Sequence, residues 1–404
     1  MSGSAEGRVA ELVERLLTEN DPRTTPEREF WGAQFDLGLA WVEFPEGKGG
    51  LGLDPGLQDI VDQRLIDEDA PLNLLHNMLG VGMAAPTLIA FGTEEQQRRL
   101  LRPLFTCDEI WCQMFSEPGA GSDVASLATR AERDGDEWIV NGQKVWTTMA
   151  HRARWGLLLA RTDPEVPKHQ GLSYFYIDMQ QPGVDVRPLR QITGEAEFNE
   201  IFFTDARIPD RQRIGPVGEG WNVAIATLMN ERVILGRVGK LSGQEGGVIR
   251  HALRVWNELP SDGRDAVRRD ELLRLWVESE VVRLTTQRSE AVRAAGTPGP
   301  EGTLGRLMAN EHQQRVFAFI VNLLGAGGML ISGYELRRPD RIGDVALIAD
   351  DAIDYQKGFL STRGATIGGG TSEVSRNIIG ERVLGLPKEP AADRDVPWSE
   401  VPRS

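Results

Sequence analysis

Cysteine is nearly absent from this chain of 404 residues, which contains only Cys107 and Cys112. Two cysteines cannot form the framework of several disulfides that is typical of small secreted proteins. Their C-x4-C spacing, with no second pair, is weak evidence for a metal site, so both are predicted to lie in the core. Because low cysteine content suits a reducing compartment, we expect a cytoplasmic protein.

Long apolar runs and an excess of positive charge are also lacking. The longest apolar stretch, FAFIVNLLGAGGMLI, is interrupted by Asn322 and glycines and is too short to span a bilayer. The N-terminal sequence has no basic-then-apolar signal pattern. The net charge of −15 means that the surface as a whole repels nucleic acid and anionic membranes. We therefore expect neither as a partner, and an anionic ligand must be held by local groups.

The hydrophobic pattern divides the chain into three parts. Apolar residues recur at helical spacing over residues 1–112, where Thr93 is predicted to cap a helix. Residues 113–215 contain strand patterns, including a hairpin predicted around Asn141–Gly142 in EWIVNGQKVWTT. Helical patterns return over residues 216–404. This order, without alternation of strands and helices, predicts an α+β fold: a helical domain, an antiparallel β domain and a C-terminal helical bundle.

Two features near the C-terminus complete this division. The last helix is predicted to begin at Thr371 or Ser372, either of which is a good N-cap. The final residues, KEPAADRDVPWSEVPRS, are predicted to form a poorly ordered tail because of their polar composition.

Five separated motifs occur in one order. They are FSEPGAGSD, NGQKVWTT, GVDVRPL, GEGWNVAIATLMNER and GGGTSEVSRNIIGERVLGLP. The first is a turn-rich loop without the strand–loop–helix setting of a P-loop or Rossmann motif, and by itself it could be a plain connector. Together, from about Glu27 to Pro387, the motifs resemble the acyl-CoA dehydrogenase family of flavoproteins. The resemblance implies an FAD cofactor, an acyl-CoA substrate and an electron-acceptor flavoprotein as partner.

The resemblance also assigns residues to the flavin and substrate sites. The residues that would line the flavin ring are Gln113, Met114, Phe115, Ser116, Trp146 and Thr148. Of these, Ser116 would donate a hydrogen bond to the pyrimidine end and Thr148 would reach N5, whereas Trp146 could equally be a core strand residue without the motif. Ser122 would lie near the CoA arm. Thr371 and Glu373 would open the last helix against the outer half of the flavin, where helix N-terminal amides suit phosphate.

The glycine run raises the question of the catalytic base. The implied reaction removes two hydrogens from an acyl thioester: a carboxylate takes the α-proton and flavin N5 takes the β-hydride. Many family members carry the glutamate just before the Gly-Thr of the last motif, where this chain has Gly369. A subset carries it on the helix after the β domain, at the position of Glu231, with Arg232 near the pantetheine arm. The N–H of Gly369 would polarise the thioester carbonyl. A solvated helical glutamate is the alternative for Glu231.

A second departure concerns the outer half of the flavin. The family's Arg-x-x-Phe-Gly segment is missing from GVIRHALRVWNELPSDGRD, and its Gln-x-x-Gly-Gly-x-Gly element appears only as NLLGAGG, with Asn322 in place of glutamine. We therefore expect a homo- or hetero-oligomer (a dimer of dimers) with the flavin site at a subunit interface, as in actinobacterial relatives of steroid side-chain breakdown. A non-catalytic or flavin-binding partner subunit and an acyl-CoA oxidase are the alternatives, and chain length argues against the oxidase.

Overall fold

The computed structural model describes residues 4–241, 247–294, 301–344, 354–391 and 393–402. The described residues form a first group of helices, then strands, then a second group of helices. The first helices are α1 (Ala5–Glu19), α2 (Glu27–Asp36), α3 (Gln58–Asp67), α4 (Ala85–Phe91) and α5 (Glu94–Phe105). Within these ranges, no helix combines the length and the apolar character needed to cross a bilayer.

Helix α5 begins as its sequence predicts. The Thr93 hydroxyl accepts a hydrogen bond from the Gln96 N–H at 3.2 Å, and the Gln96 side chain accepts one from the Thr93 N–H at 2.9 Å. This reciprocal pair satisfies two N–H groups that the first turn of a helix leaves without partners. The predicted cap at Thr93 is therefore confirmed. The two cysteines are both buried and free, as predicted.

The middle of the chain forms one sheet of seven strands. The strands are β1 (Trp111–Met114), β2 (Arg130–Asp134), β3 (Glu137–Thr148), β4 (Trp155–Arg161), β5 (Leu172–Asp178), β6 (Val184–Pro188) and β7 (Phe198–Pro209). Most neighbours are antiparallel, but β1 and β2 run parallel to β4, so the sheet is mixed. Parallel pairing is open to these strands because long segments of chain separate them from β4.

The predicted hairpin around Asn141–Gly142 is wrong. Residues 137–148 form the single strand β3, and the turn into it lies at Gly135, whose φ is 64°. Gly142 lies instead at a shift in the register between β3 and β7. A Cβ atom there would come within 2.5 Å of the Thr129 hydroxyl. Gly142 is therefore explained by the close approach of a neighbouring segment, not by a turn.

The second group of helices follows the sheet. These helices are α6 (Gly220–Leu241), α7 (Ile249–Glu258), α8 (Ala266–Ala294), α9 (Glu301–Leu323), α10 (Tyr355–Ala365) and α11 (Ser372–Arg382). The Thr371 hydroxyl accepts a hydrogen bond from the Val374 N–H at 3.1 Å, which confirms Thr371 as the cap of α11. The α+β fold class is confirmed. The domain boundaries after residues 112 and 215 stay predictions. The nearest elements are β1, which begins at Trp111, and α6, which begins at Gly220.

The prediction of a poorly ordered tail is wrong for residues 393–402. Trp398 is only 9% exposed, and its indole N–H donates to the Ser126 carbonyl at 3.2 Å. Asp393 pairs with Lys168 at 2.6 Å. One large aromatic side chain and one ion pair dock this segment on the sheet, which an average over its polar composition does not reveal.

Candidate active site

A distortion in β3 turns Trp146 out of the sheet. The register between β3 and β7 shifts between Lys144 and Thr147, and Trp146 has a φ of 60°. A bulky residue rarely adopts this left-handed conformation, which costs roughly 1–3 kcal/mol and is typical of functional sites. The indole of Trp146 is 57% exposed, and the edge-on ring of Phe198 lies 5.8 Å away between ring centroids. The irregularity therefore presents an aromatic surface beside the sheet.

A buried ion pair supports the segment before this surface. Lys144 is fully buried, and its Nζ lies 2.8 Å from Glu117 Oε1 and 3.0 Å from the Phe115 carbonyl oxygen. The Glu117 carboxylate also accepts hydrogen bonds from the main-chain N–H groups of Ala128 and Thr129, at 2.7 and 2.9 Å. Burial by itself raises the pKa of Glu117, but Lys144 and these donors together hold it below its ordinary value. Glu117 is therefore ionised at neutral pH.

The segment from Gln113 to Ser116 lies next to β3. The Ser116 carbonyl accepts a hydrogen bond from the Val145 N–H at 2.9 Å. Ser116 therefore lies beside the irregular part of β3 that exposes Trp146. Gln113 and Ser116 are half-buried. Met114 and Phe115 are buried among the strands, where their side chains pack in the core. The side chains that can reach a ligand from this segment are therefore those of Gln113 and Ser116, whereas Met114 and Phe115 have only their main chain to offer.

The last strand residue, Thr148, is half-buried and pairs with Phe198 of β7. Phe198 is the residue whose ring meets Trp146 edge-on. The predicted ring-lining residues of β1 and β3 are thus held in one neighbourhood by main-chain pairing. Ser122 lies exposed in the connection between β1 and β2.

A second group of predicted residues borders a groove among α9, α10 and α11. The groove has a volume of about 510 Å³ and is lined by Thr371 and Glu373 at the start of α11. Three arginines and a second glutamate also line it, and they are Arg315, Arg363, Arg376 and Glu311. Arg376 pairs with Glu311, and Arg315 pairs with Glu278. Positive charge beside a helix N-terminus favours phosphate groups. The sequence reasoning missed these arginines because they come from three separate helices and form no local motif.

The glycine run before α11 is held by an arginine of α9. The guanidinium of Arg306 donates hydrogen bonds to the carbonyl oxygens of Gly368 and Gly369. Gly369 and Gly370 have φ values of 62° and 101°, which residues with a side chain rarely adopt. Exposed Gly369 therefore lies in a turn whose orientation is set by α9. The sequence reasoning did not identify Arg306, which precedes Gly369 by more than 60 residues. Asn322 is exposed in the last turn of α9.

Helix α6 contains the predicted base position. The side chains of Glu231 and Arg232 lie outside the described residues. One turn earlier, buried Thr227 lies with its hydroxyl 2.8 Å from Thr87 Oγ1 and 3.1 Å from the Tyr174 hydroxyl. Residue 231 belongs to α6 and comes one helical turn after Thr227.

Taken together, the fold and these surfaces define a helical–β–helical protein with an exposed aromatic face beside its sheet and a groove lined by arginines and glutamates among its last helices. Models of the N-terminal, middle and C-terminal domains of acyl-CoA dehydrogenases match residues 3–108, 112–206 and 218–384. The acyl-CoA dehydrogenase IpdE1 of Mycobacterium tuberculosis is 40% identical over 90% of this chain and 89% of its own length.

Solved structures agree with this relationship. The ChsE4–ChsE5 complex from Mycobacterium tuberculosis is 26% identical, with a TM-score of 0.68 over 96% of this chain and 100% of the matched chain. The Tcur3481–Tcur3483 steroid acyl-CoA dehydrogenase is 25% identical, with a TM-score of 0.71 over 96% of this chain and 99% of the matched chain. The chain belongs to the acyl-CoA dehydrogenase family, a family of flavoprotein oxidoreductases.

Proposed function

We propose that this chain catalyses the α,β-dehydrogenation of an acyl-CoA thioester to the trans-2-enoyl-CoA, with Glu231 as the base. The observation that carries the proposal is the position of residue 231, one turn beyond buried Thr227 on α6. A base in this chemistry must be a carboxylate that is partly removed from water, because desolvation strengthens it. Gly369, at the family's other base position, has no side chain.

The glycine turn supports the second half of this proposal. A main-chain N–H that donates to the thioester oxygen stabilises the negative charge that develops there when the α-proton leaves. The positive φ of Gly369 and the hydrogen bonds from Arg306 to the carbonyls of Gly368 and Gly369 hold this turn before any ligand arrives. In the proposal, Gly369 donates this hydrogen bond, while Ser122 and Arg232 bind the CoA arm.

FAD is the cofactor in this proposal, and the described residues fit it. The exposed ring of Trp146 offers a planar contact, and Gln113, Ser116 and Thr148 lie in its neighbourhood. The groove at Thr371 and Glu373 offers phosphate groups the N-terminus of α11 and three arginines, whose charge is offset in part by Glu311 and Glu373. Asn322 would contribute at the end of α9. FAD, when bound, supplies the acceptor for the β-hydride, and an acceptor flavoprotein then takes the electrons.

Anaerobic spectroscopy tests the reaction. The purified protein is mixed with each of a panel of acyl-CoA thioesters, and the flavin absorbance is recorded. Mass spectrometry then gives the mass of the thioester product. The proposal predicts bleaching of the flavin and a product lighter by two hydrogens. Peroxide formation in air would favour the acyl-CoA oxidase, and a flavin that no thioester bleaches would favour a non-catalytic subunit.

An exposed apolar stripe on α8 favours assembly with another subunit. The side chains of this stripe are 46–55% exposed, and they are Leu273, Trp276, Val277, Val281 and Leu284. Apolar surface of this extent on one helix face marks an interaction site. We propose that the stripe packs in an oligomer whose second subunit completes the flavin site. The partner is a second copy or, as the names of the two solved complexes suggest, a different family member.

Measuring bound FAD distinguishes the two assemblies. If the partner is a different chain, the lone protein should carry little FAD, and co-expression with the partner should restore it. One FAD per chain in the lone protein would contradict the heteromeric assembly and favour the homomeric one.

A further inference from the structure

The C-terminal segment 393–402, here called the strap, lies across two loops of the sheet. The first is the Ser122 loop (residues 117–127), which follows β1. The second is the β4–β5 loop (residues 162–171). The main-chain N–H groups of Trp398 and Ser399 donate to the carbonyls of Val166 and Pro164 in the β4–β5 loop, both at 2.9 Å. The strap is therefore attached to the β4–β5 loop by two main-chain hydrogen bonds.

Trp398 covers the arginine that joins the two loops. Arg161 is 3% exposed, and its guanidinium donates to the carbonyls of Ala125 and Lys168, at 2.6 and 3.0 Å. The guanidinium carbon lies 4.4 Å from the centre of the Trp398 ring, a cation–π contact. The indole N–H of Trp398 binds the Ser126 carbonyl at 3.2 Å. Trp398 thus shields from water the hydrogen bonds that set the shape of the Ser122 loop.

An ion-pair bridge makes the same connection beside Ser122. Lys168 Nζ lies 2.7 Å from Asp123 Oδ2 and 2.6 Å from Asp393 Oδ2. The side chain of Lys168 is 12% exposed, whereas those of Asp123 and Asp393 are 54% and 34% exposed, so solvent screens the carboxylate ends of this bridge more than the ammonium end. Burial lowers the pKa of Lys168, but the hydrogen bonds to both aspartates raise it overall. Asp123 follows Ser122 directly, so the strap is linked through Lys168 to the neighbour of the proposed CoA-binding residue.

The β4–β5 loop also reaches the helix of the proposed base. The ring of His169 lies 4.7 Å from that of Trp221, edge-on, in the first turn of α6. The Ser173 hydroxyl accepts a hydrogen bond from the Gly218 N–H at 3.1 Å, just before α6 begins. The strap, the two loops and the start of α6 therefore form one connected set of contacts.

We propose that the strap is a positioning element that holds the Ser122 loop in the shape that binds the CoA arm, with Trp398 and Asp393 as its two anchors. What the loop binds rests on the proposed function, but the dependence of the loop on the strap does not. Without the strap, Arg161 is exposed to water and Lys168 loses one of its two carboxylates, so the loop fluctuates among several shapes and binds coenzyme A less tightly.

Hydrogen exchange of the full chain tests the dependence on the strap. The variants are Trp398→Ala, Asp393→Asn and a deletion of residues 392–404, with Glu400→Gln as control because that side chain is exposed and lies in the same segment. Trp398→Ala should speed exchange in residues 117–127 about tenfold, the size of one lost cation–π contact and one hydrogen bond. The deletion also removes Asp393 and two main-chain donors, so it should speed exchange further. Asp393→Asn should speed it less, and the control should leave it unchanged. Unchanged exchange after the deletion would overturn the proposal.

Calorimetric titration with coenzyme A tests the positioning role. Trp398→Ala should weaken binding about tenfold for the same lost contacts, with the FAD content unchanged, whereas Trp398→Phe should recover part of the affinity. Faster exchange with unaltered coenzyme A affinity would overturn the positioning role. If the wild-type protein fails to bind coenzyme A, the proposed function fails, and the exchange experiment still decides whether the strap holds the loop.

Discussion

Replacing Lys144 with methionine should destabilise the sheet strongly. Methionine keeps most of the length of the lysine side chain but has no charge. Glu117 is only 9% exposed, and its carboxylate loses the ammonium group that lies 2.8 Å away. Two main-chain N–H groups still donate to that carboxylate. They do not carry the full charge needed to offset its removal from water. The Phe115 carbonyl also loses a donor.

The expected cost follows from this geometry. Breaking a buried ion pair by removing one partner typically costs about 3–5 kcal/mol, because an uncompensated charge remains. The two remaining donors to Glu117 place the expected loss near the lower end, at about 3 kcal/mol. Removing both charges leaves no such carboxylate. The double variant Glu117→Gln/Lys144→Met should therefore be more stable than the sum of the two single changes predicts.

Hydrogen exchange of the β3 amides in the full-length protein measures this loss as a fall in the opening free energy of the strand. The local readout suits a large chain, for which a single unfolding free energy is not well defined. The two single variants and the double variant complete a double-mutant cycle. A loss below about 1 kcal/mol for Lys144→Met, or strict additivity in the double variant, would refute the reasoning.

Three further predictions rest on single side chains. The folded-state pKa of Glu117 is depressed, so its contribution to stability is present above the ordinary carboxyl pKa and is lost as the pH falls through the folded-state pKa. Thermal stability measured as a function of acid pH should show this loss, and Glu117→Gln should lack it. Thr371→Ala should destabilise α11 by about 1 kcal/mol through the lost cap, measured by exchange of its first-turn amides, whereas Thr371→Ser should not. Trp146→Ala should weaken FAD binding about tenfold in equilibrium titration, while Trp146→Phe retains most of it; equal affinity in all three proteins would exclude a ring contact.

Local signals account for the parts of the fold that the sequence predicted. The caps at Thr93 and Thr371 depend on residues three positions away, and helical or strand periodicity extends over one element. These features can be recognised without knowledge of distant segments. The order of helices, strands and helices follows from them.

Contacts between distant segments account for the errors. Asn141–Gly142 has the composition of a hairpin turn, but Gly142 is needed because Thr129 approaches its backbone. The tail has a polar composition, but Trp398 docks it on the guanidinium of Arg161. In both cases the deciding neighbour belongs to another part of the chain, which local composition does not include.

The same reason limits prediction of the candidate site. The five ordered motifs brought Trp146 and Thr371 into consideration. They did not indicate the buried pair of Glu117 and Lys144, nor Arg306 behind the glycine turn, because these partners lie 27 and more than 60 residues apart in sequence. Glu231 as the base stays a prediction.

The rate of flavin reduction in Glu231→Gln tests the central claim most directly. The variant and the wild-type protein are mixed anaerobically with the acyl-CoA that bleaches the wild-type flavin fastest, at saturating concentration. Glu219→Gln, which changes an exposed glutamate just before α6, is the control. We predict that Glu231→Gln retains FAD and loses at least about 100-fold in rate, since general bases contribute roughly 10²–10⁴-fold. A rate within a few-fold of the wild-type protein, with FAD bound, would contradict the assignment.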